Sequence, residues 1–497
     1  MTTKTTTVTS AISGYKDLLG DAIGEGLDDN LNLLTHVTSP HGASVSHRQA
    51  LQDRYQSRIS VGAGLTRSLV SYQGNKDEPG LRWMKYKEGF TRKLVEAFVY
   101  ESSPESVLDP FAGIGTAPLT AAGMGAHGVG IEVMPVGVTT ARALNEAANG
   151  LNLSEFEAAG NRLLERISSS QATAAEHRFK HVRITERAFS DLTESGLAKA
   201  REFISSVEDT QIAALLDFAC MSVLEEISYT RKDGQYLRWD YRSGRKLRSK
   251  VDKGPISTLS DALDQRLRMM LDDIGRLSDV FGGGTTNFVQ GSCLRKLRDL
   301  DDESFDMVFT SPPYANRYDY TRTYALELAW LGLDQIGFSR LRQELVTATV
   351  ENRPKRDWLD KWHGDDECWS QAVKNYDSLS ALHEVIGELK NREQELSNRQ
   401  VIRLIEGYFL EMAYVVAELA RVTRPGGMVV MVNDNVQYHG EQVPVDLILS
   451  DFAEESGFQC ENIWMLPRGK GNSSQQMGRY GRTEIRKCVY QWRRRSG

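Results

Sequence analysis

The chain has 497 residues, 40% hydrophobic and 26% charged, and its 60 Lys and Arg against 67 Asp and Glu give a net charge of -7. That length holds about three average domains, or one large domain with long insertions, and no run of about 18 apolar residues offers a membrane span. Five scattered cysteines without a C-x-x-C pair exclude a disulfide framework and a zinc knuckle, and nine histidines without H-E-x-x-H spacing leave no metal predicted.

The Thr-rich start MTTKTTTVTS lacks the charged and apolar parts of a secretory signal, so a loose terminus on a cytoplasmic protein is expected. Residues 1–80 read as an N-terminal helical extension, its short patterns broken by TSPHGAS. A core begins over 81–144, where Leu94, Val95, Ala97 and Phe98 mark a helix. It feeds SVLDPFAGIGTAPLTAAGMGAHGVGIEV, which reads strand, glycine-rich turn, helix, strand. The first strand ends at Asp109, and Gly113 and Gly115 let the backbone turn toward the next helix. Glu132 ends the second strand 17 positions after Gly115, near the roughly 20-residue spacing at which an acidic group accepts from ribose hydroxyls. This pairing indicates a nucleoside cofactor, a dinucleotide or S-adenosylmethionine alike.

Residues 145–285 read as a helical insertion and a candidate DNA-recognition region. It encloses YTRKDGQYLRWDYRSGRKLRSK, in which Arg231, Lys232, Arg238, Arg242, Arg245 and Arg248 are interleaved with Tyr236, Trp239 and Tyr241. A solvated basic face is the plain reading of such a run; contact with nucleic acid is the sharper one, and it needs only a local basic face on an acidic protein.

Strand signals return over 286–323 in NFVQGSC and FDMVFTSPPYANRYDY. There Met307, Val308 and Phe309 look like a buried strand that two prolines then stop, since neither can donate a ladder hydrogen bond. Carbonyls freed from the ladder can accept from an exocyclic amino group, Ser311 adds a polar contact, and Tyr314 offers a stacking face worth about 1–3 kcal/mol per base. A second helical insertion is expected over 324–400. The last part of the core, 401–497, holds a long helix, the strand MVVMVND, the strands FQCENIWML and RKCVYQW, and a basic C-terminal loop carrying Arg479 and Arg482. Strands alternating with helices predict an α/β fold, a parallel sheet with helices on both faces.

In these residues the chain resembles the amino-group DNA methyltransferases that use S-adenosylmethionine. Asp109-Pro-Phe-Ala-Gly-Ile-Gly-Thr116 matches their cofactor motif and Ser311-Pro-Pro-Tyr314 their catalytic motif; the likeness is good over 83–140 and 287–323 and looser over 403–492. It implies a Rossmann-like methyltransferase sheet with two mainly helical insertions. It also implies cofactor contacts from Asp109, Phe111, Gly113, Gly115, Thr116 and Glu132, and catalytic roles for Ser311, Pro312, Pro313 and Tyr314. KYKEGF is similar to the segment that closes over the methionine end, which points to Lys87, Glu88 and Phe90. The sequence departs from the family in VQGSC, where Ser292 stands in place of the aspartate that receives the adenine amino group.

A serine at the first catalytic position is typical of members that make N4-methylcytosine, whereas Asp or Asn is typical of those that make N6-methyladenine. The implied partners are double-stranded DNA and a restriction or defence-system protein, with no membrane and no metal. The target base has to be flipped from the duplex at a cost of a few kcal/mol, and the basic aromatic segments, Arg479 and Arg482 included, are expected to offset it. Adenine in DNA, an RNA base, or a non-catalytic nucleic-acid-binding subunit are the competing readings.

Overall fold

The computed structural model describes residues 14–20, 39, 45–87, 89–233, 236–248, 250–316, 318–467 and 485–496. Its strands, in chain order, are β1 (Ile59–Val61), β2 (Ser106–Asp109), β3 (His127–Glu132), β4 (Thr230–Asp233), β5 (Tyr236–Trp239) and β6 (Thr285–Gln290), followed by β7 (Phe305–Thr310), β8 (Thr423–Asp434), β9 (Val436–Tyr438), β10 (Glu441–Val443), β11 (Phe458–Met465) and β12 (Lys487–Arg494). Among the described residues eight of them form one sheet in the order β1-β11-β12-β8-β7-β2-β3-β6. β12 runs antiparallel to β11 and β8, and the other described pairs of this sheet are parallel. This is a mixed α/β architecture with a mostly parallel central sheet, consistent with a Rossmann-like methyltransferase fold.

Parallel neighbours need crossovers, and helices supply them on both faces. Val107, Met307, Phe309, Val430 and Val432 point toward helices Arg92–Ser102 and Thr116–Gly123, while the alternate residues Leu108, Val308, Val429 and Met431 pack with helices Gln400–Val422 and Val445–Glu455. The period of two explains why these strands read as continuous apolar runs: both faces are covered. The chain leaves β2 for β3 and β6 on one side, then returns to β7 on the other. The carboxyl ends of β2 and β7 therefore flank a topological switch point, where sheets of this kind hold their ligands.

Two expectations are corrected. Residues 1–80 are not only helical, because Ile59–Val61 adds an edge strand parallel to β11. Helix Ser46–Tyr55 is fastened by buried Arg48, which pairs with Glu384 at 2.8 Å and Glu441 at 3.0 Å. The segment 145–285 is also not purely helical, since β4 and β5 form an antiparallel hairpin within it. Its helices Leu153–Ser168, Asp191–Ser205, Thr210–Ile227 and Leu259–Phe281 share one apolar cluster with Trp83, Tyr86 and Tyr324–Trp330. A further hairpin, β9 with β10, follows β8.

The segment that enters the core at Leu81 is held by buried Asp273 of helix Leu259–Phe281. Its carboxylate accepts from the Gly80 amide at 3.0 Å, from Trp83 Nε1 at 2.8 Å and from the Arg82 guanidinium at 2.7 and 3.0 Å. Asp273→Ala leaves these donors without their acceptor, so denaturant unfolding should show a loss of about 2–3 kcal/mol. A loss under about 0.5 kcal/mol, the range of ordinary surface changes, would show that the segment does not depend on this carboxylate.

Candidate active site

Asp109 ends β2 beside the last residue of β7. Its Oδ1 accepts from Thr310 Oγ1 at 2.6 Å and from the Phe111 amide at 3.0 Å, with the carboxylate buried. One side chain thus joins the start of the glycine turn to the strand that runs into Ser311. The turn has Gly113 at φ 54° and Gly115 at φ 83°, the left-handed region that favours glycine. A Cβ at Gly113 would lie 3.0 Å from the Tyr86 ring, and one at Gly115 would lie 2.8 Å from the Phe288 ring. Glu132, buried at the end of β3, accepts from the Gly113 amide at 2.7 Å and the Met134 amide at 2.6 Å. It therefore braces the turn and presents a carboxylate to the same space.

That space is a cleft of about 720 Å³. Phe90, Asp109, Phe111, Gly113, Thr116, Glu132 and Ser292 line it from the side of the glycine turn, and Ser311 and Pro313 line it from the end of β7. The two motifs, separated by about 200 positions, meet in one cavity. Phe90 packs edge-on to Phe309 with centroids 4.8 Å apart, and its carbonyl accepts from Asn75 Nδ2 at 2.9 Å. Gly115 sits outside the lining, under Phe288. Ser292 donates its hydroxyl to the Glu344 carbonyl at 2.6 Å.

Lys87 is not brought to the cleft: its Nζ donates to the Lys232 carbonyl at 2.6 Å, toward the β4–β5 hairpin. Glu88 lies outside the described residues. From the same KYKEGF stretch the cleft takes Tyr86 instead, stacked on Tyr324 with centroids 4.9 Å apart. Tyr320, Leu345 and Val346 also line it; a polar run and a plain apolar pair gave no signal for them.

Pro312 is buried and Tyr314 half-buried. Ser311 Oγ donates to the Tyr314 hydroxyl at 3.3 Å, and Lys487 Nζ donates to the same oxygen at 3.2 Å. Lys487 also pairs with Asp434 at 2.8 Å. Burial pushes the Tyr314 phenol above its usual range, so it stays neutral. Burial opposes the charge of Lys487, but Asp434 and Tyr314 outweigh it and the amine is held above its usual range.

No family model matches the chain. Individual relatives do. It is 40% identical over 462 residues to the type II methyltransferase M.AvaI of Nostoc sp., covering 90% of this chain and 93% of that protein, with the same figures for M.AvaI of Anabaena variabilis. It is 36% identical over 470 residues to the type II methyltransferase M.BsoBI of Geobacillus stearothermophilus, covering 90% and 91%. The chain belongs to the type II methyltransferases.

In this methyltransferase the basic aromatic segment is used largely within the protein. Lys232 is buried, paired with Glu327 at 2.6 Å and lying over the Tyr324 ring. Trp239 is buried with the Arg245 guanidinium 4.2 Å above its ring, and Arg245 donates to the carbonyls of Arg183, Ile184 and Glu186. Arg242 grips Asp240 at 2.7 and 2.9 Å. Lys232 and Trp239 are thus buried within the fold and Arg245 is half-buried on backbone carbonyls, whereas Arg242 stays exposed beside Asp240. Arg231 and Arg248 are exposed, Arg238 lies 40% exposed near Asp233, and Arg479 and Arg482 lie outside the described residues. No described helix is long and apolar enough to cross a membrane. Asp366, Cys368 and Glu418 bring potential metal-ligand atoms within 4.8 Å of one another, but Glu418 already pairs with Arg421 at 2.6 Å.

Burial pushes the Asp109 carboxyl up to about 7, against the hydrogen bonds from Thr310 and Phe111. It pushes Glu132 up to about 7 as well, against the amides of Met134 and Gly113. Both folded values exceed the unfolded ones of about 4, so the folded state holds these protons more tightly. Their contribution to stability is full below about pH 4 and is lost as pH rises through about 7. The double variant Asp109→Asn/Glu132→Gln should therefore lose less melting temperature than wild type between pH 5.5 and 8.5. Parallel curves would mean that both carboxyls are already ionised at the lower pH.

Proposed function

We propose that the protein is a site-specific DNA methyltransferase that transfers a methyl group from S-adenosylmethionine to the N4 amino group of a flipped cytosine. The observation that carries this reading is the single cleft lined by both Gly113 and Ser311.

The residues present fit S-adenosylmethionine. A carboxylate has about four acceptor positions, and the Glu132 oxygens have one amide contact each, which leaves capacity for ribose hydroxyls. Phe90, Phe111 and Ile131 supply apolar walls for a base. Ser292 donates its hydroxyl hydrogen bond to the Glu344 backbone carbonyl, so its oxygen can accept from an adenine amino group. When bound there, the cofactor supplies an electrophilic methyl group.

Ser311, Pro313 and Tyr314 would receive the target base. The serine hydroxyl is neutral, as is the buried phenol, so the amino group is oriented by hydrogen bonds and stacking without a carboxylate. That neutrality, with the resemblance of Ser311 to the N4-cytosine type, favours cytosine over adenine. Positioning of this kind supplies a large part of a transfer barrier when the reacting groups are held at contact. Arg231, Arg238 and Arg248, at least partly exposed in the hairpin region, would meet the phosphates. A cognate restriction endonuclease is the partner that the type II relatives suggest.

Replacing Arg231, Arg238 and Arg248 with Ala should flatten the dependence of log affinity for duplex DNA on log salt by about 0.9 per lost phosphate contact, with S-adenosylmethionine affinity unchanged. An unchanged slope would assign them to a solvated face. Tyr314→Ala should abolish methyl transfer while the cofactor still binds, measured by calorimetry beside a filter assay. Mass spectrometry of digested DNA from cells expressing the wild type should show N4-methylcytosine; N6-methyladenine alone would move the reading to adenine.

A further inference from the structure

Where β8 and β12 meet the open edge of the sheet lies an ion pair to which methyl transfer as described gives no part. Asp434 is the last residue of β8 and Lys487 the first of β12, and they are direct partners in the antiparallel register. Lys487 Nζ stands 2.8 Å from Asp434 Oδ1, 3.2 Å from the Tyr314 hydroxyl and 4.9 Å from the centroid of the Tyr314 ring, which it overlies. The side chains are largely buried, 11% exposed for Lys487 and 18% for Asp434.

A charge withdrawn from water in this way is costly unless it is paired and hydrogen-bonded, and the partners of Lys487 are Asp434 and the Tyr314 hydroxyl. The lysine lies over the ring and at its hydroxyl, so it touches the side chain at two points. A tyrosine in a loop after two prolines has no sheet to hold its ring plane, and a stacking platform works only when that plane is fixed. Ser311 alone gives the hydroxyl a 3.3 Å contact, beyond the roughly 2.5–3.0 Å usual between two hydroxyls.

We propose that Lys487, held by Asp434, is a positioning residue that anchors the Tyr314 hydroxyl and thereby fixes the ring against which the target base stacks. The inference rests on the reading of Ser311–Tyr314 as the motif that receives the base. Lys487 touches neither cofactor nor methyl group; it acts through Tyr314.

A double-mutant cycle tests this. Asp434→Asn/Lys487→Met removes both charges together, so no unpaired ion is left to unfold the protein. Tyr314→Phe removes the anchored hydroxyl and keeps the ring. With tritium-labelled S-adenosylmethionine and unmodified duplex DNA, each should lower kcat by about tenfold, the value of one hydrogen bond to a charged group. Calorimetric affinity for S-adenosylmethionine should not change. All three substitutions combined should be no slower than the charge-free pair alone, since the lysine has nothing left to hold. Multiplying losses, or full activity in the charge-free pair, would overturn the positioning role while leaving the methyltransferase reading intact. A wild type that binds cofactor yet methylates no DNA would overturn both.

Discussion

The hydrogen bond between Asp109 and Thr310 is the constraint on which the site depends. Two parallel strands at a switch point could slide or splay at their open ends, where the ladder stops. Here a buried carboxylate closes the gap, taking Thr310 from one strand and the Phe111 amide of the turn that follows the other. Each such hydrogen bond contributes about 0.5–1.5 kcal/mol, and the two together hold the glycine turn and the Ser311 motif at one relative height. Glu132 repeats the device on the next strand by bracing Gly113. The walls of the cleft are thus held by the protein's own hydrogen bonds, which suits a reaction that depends on placing two molecules in contact.

The basic hairpin shows how charge along a chain differs from charge on a surface. Lys232, Arg242 and Arg245 lie in one run of cations, yet Lys232 is buried against Glu327, Arg245 is half-buried on backbone carbonyls, and only Arg242 stays exposed, beside Asp240. Lys232 reaches Glu327 on the helix that carries Tyr324's neighbours, and its carbonyl takes Lys87 from the segment leading to Phe90. The hairpin is therefore joined to the cleft wall through buried polar contacts. Breaking such a pair by removing one partner leaves an uncompensated charge, so the hairpin and the wall are expected to move as one.

What the sequence discloses of this fold are its local signals. β2, β3 and β7 follow from apolar runs that end at Asp109, Glu132 and two prolines, and helix Arg92–Ser102 from the spacing of Leu94, Val95, Ala97 and Phe98. The cavity that unites the motifs also follows, because both sit at carboxyl ends of parallel strands. What escapes is whatever depends on a distant partner. β1 is three residues in a polar setting, made a strand by Ile463 across the sheet. Hairpin β4–β5 buries Lys232 because Glu327 lies 95 positions on, a partner no local window can contain. Lys87 was expected at the cleft and Tyr86 faces it instead: a motif marks a segment more securely than the direction of one side chain within it.

The reversed strand explains how a lysine comes to stand beside the Tyr314 ring. The parallel strands all bring their last residues to the ligand edge, and those of β2, β3 and β8 are acidic: Asp109, Glu132 and Asp434. Such an edge repels both the phosphates of DNA and the ionised forms of its own carboxyls, and burial already lifts two of them to about 7. β12 runs the other way, so its first residue, not its last, reaches this edge. Lys487 there neutralises Asp434 and places a donor on Tyr314. In a wholly parallel sheet the neighbour of Asp434 would also be a strand's last residue; the antiparallel insertion brings a strand's beginning into the site, and with it the cation the edge requires.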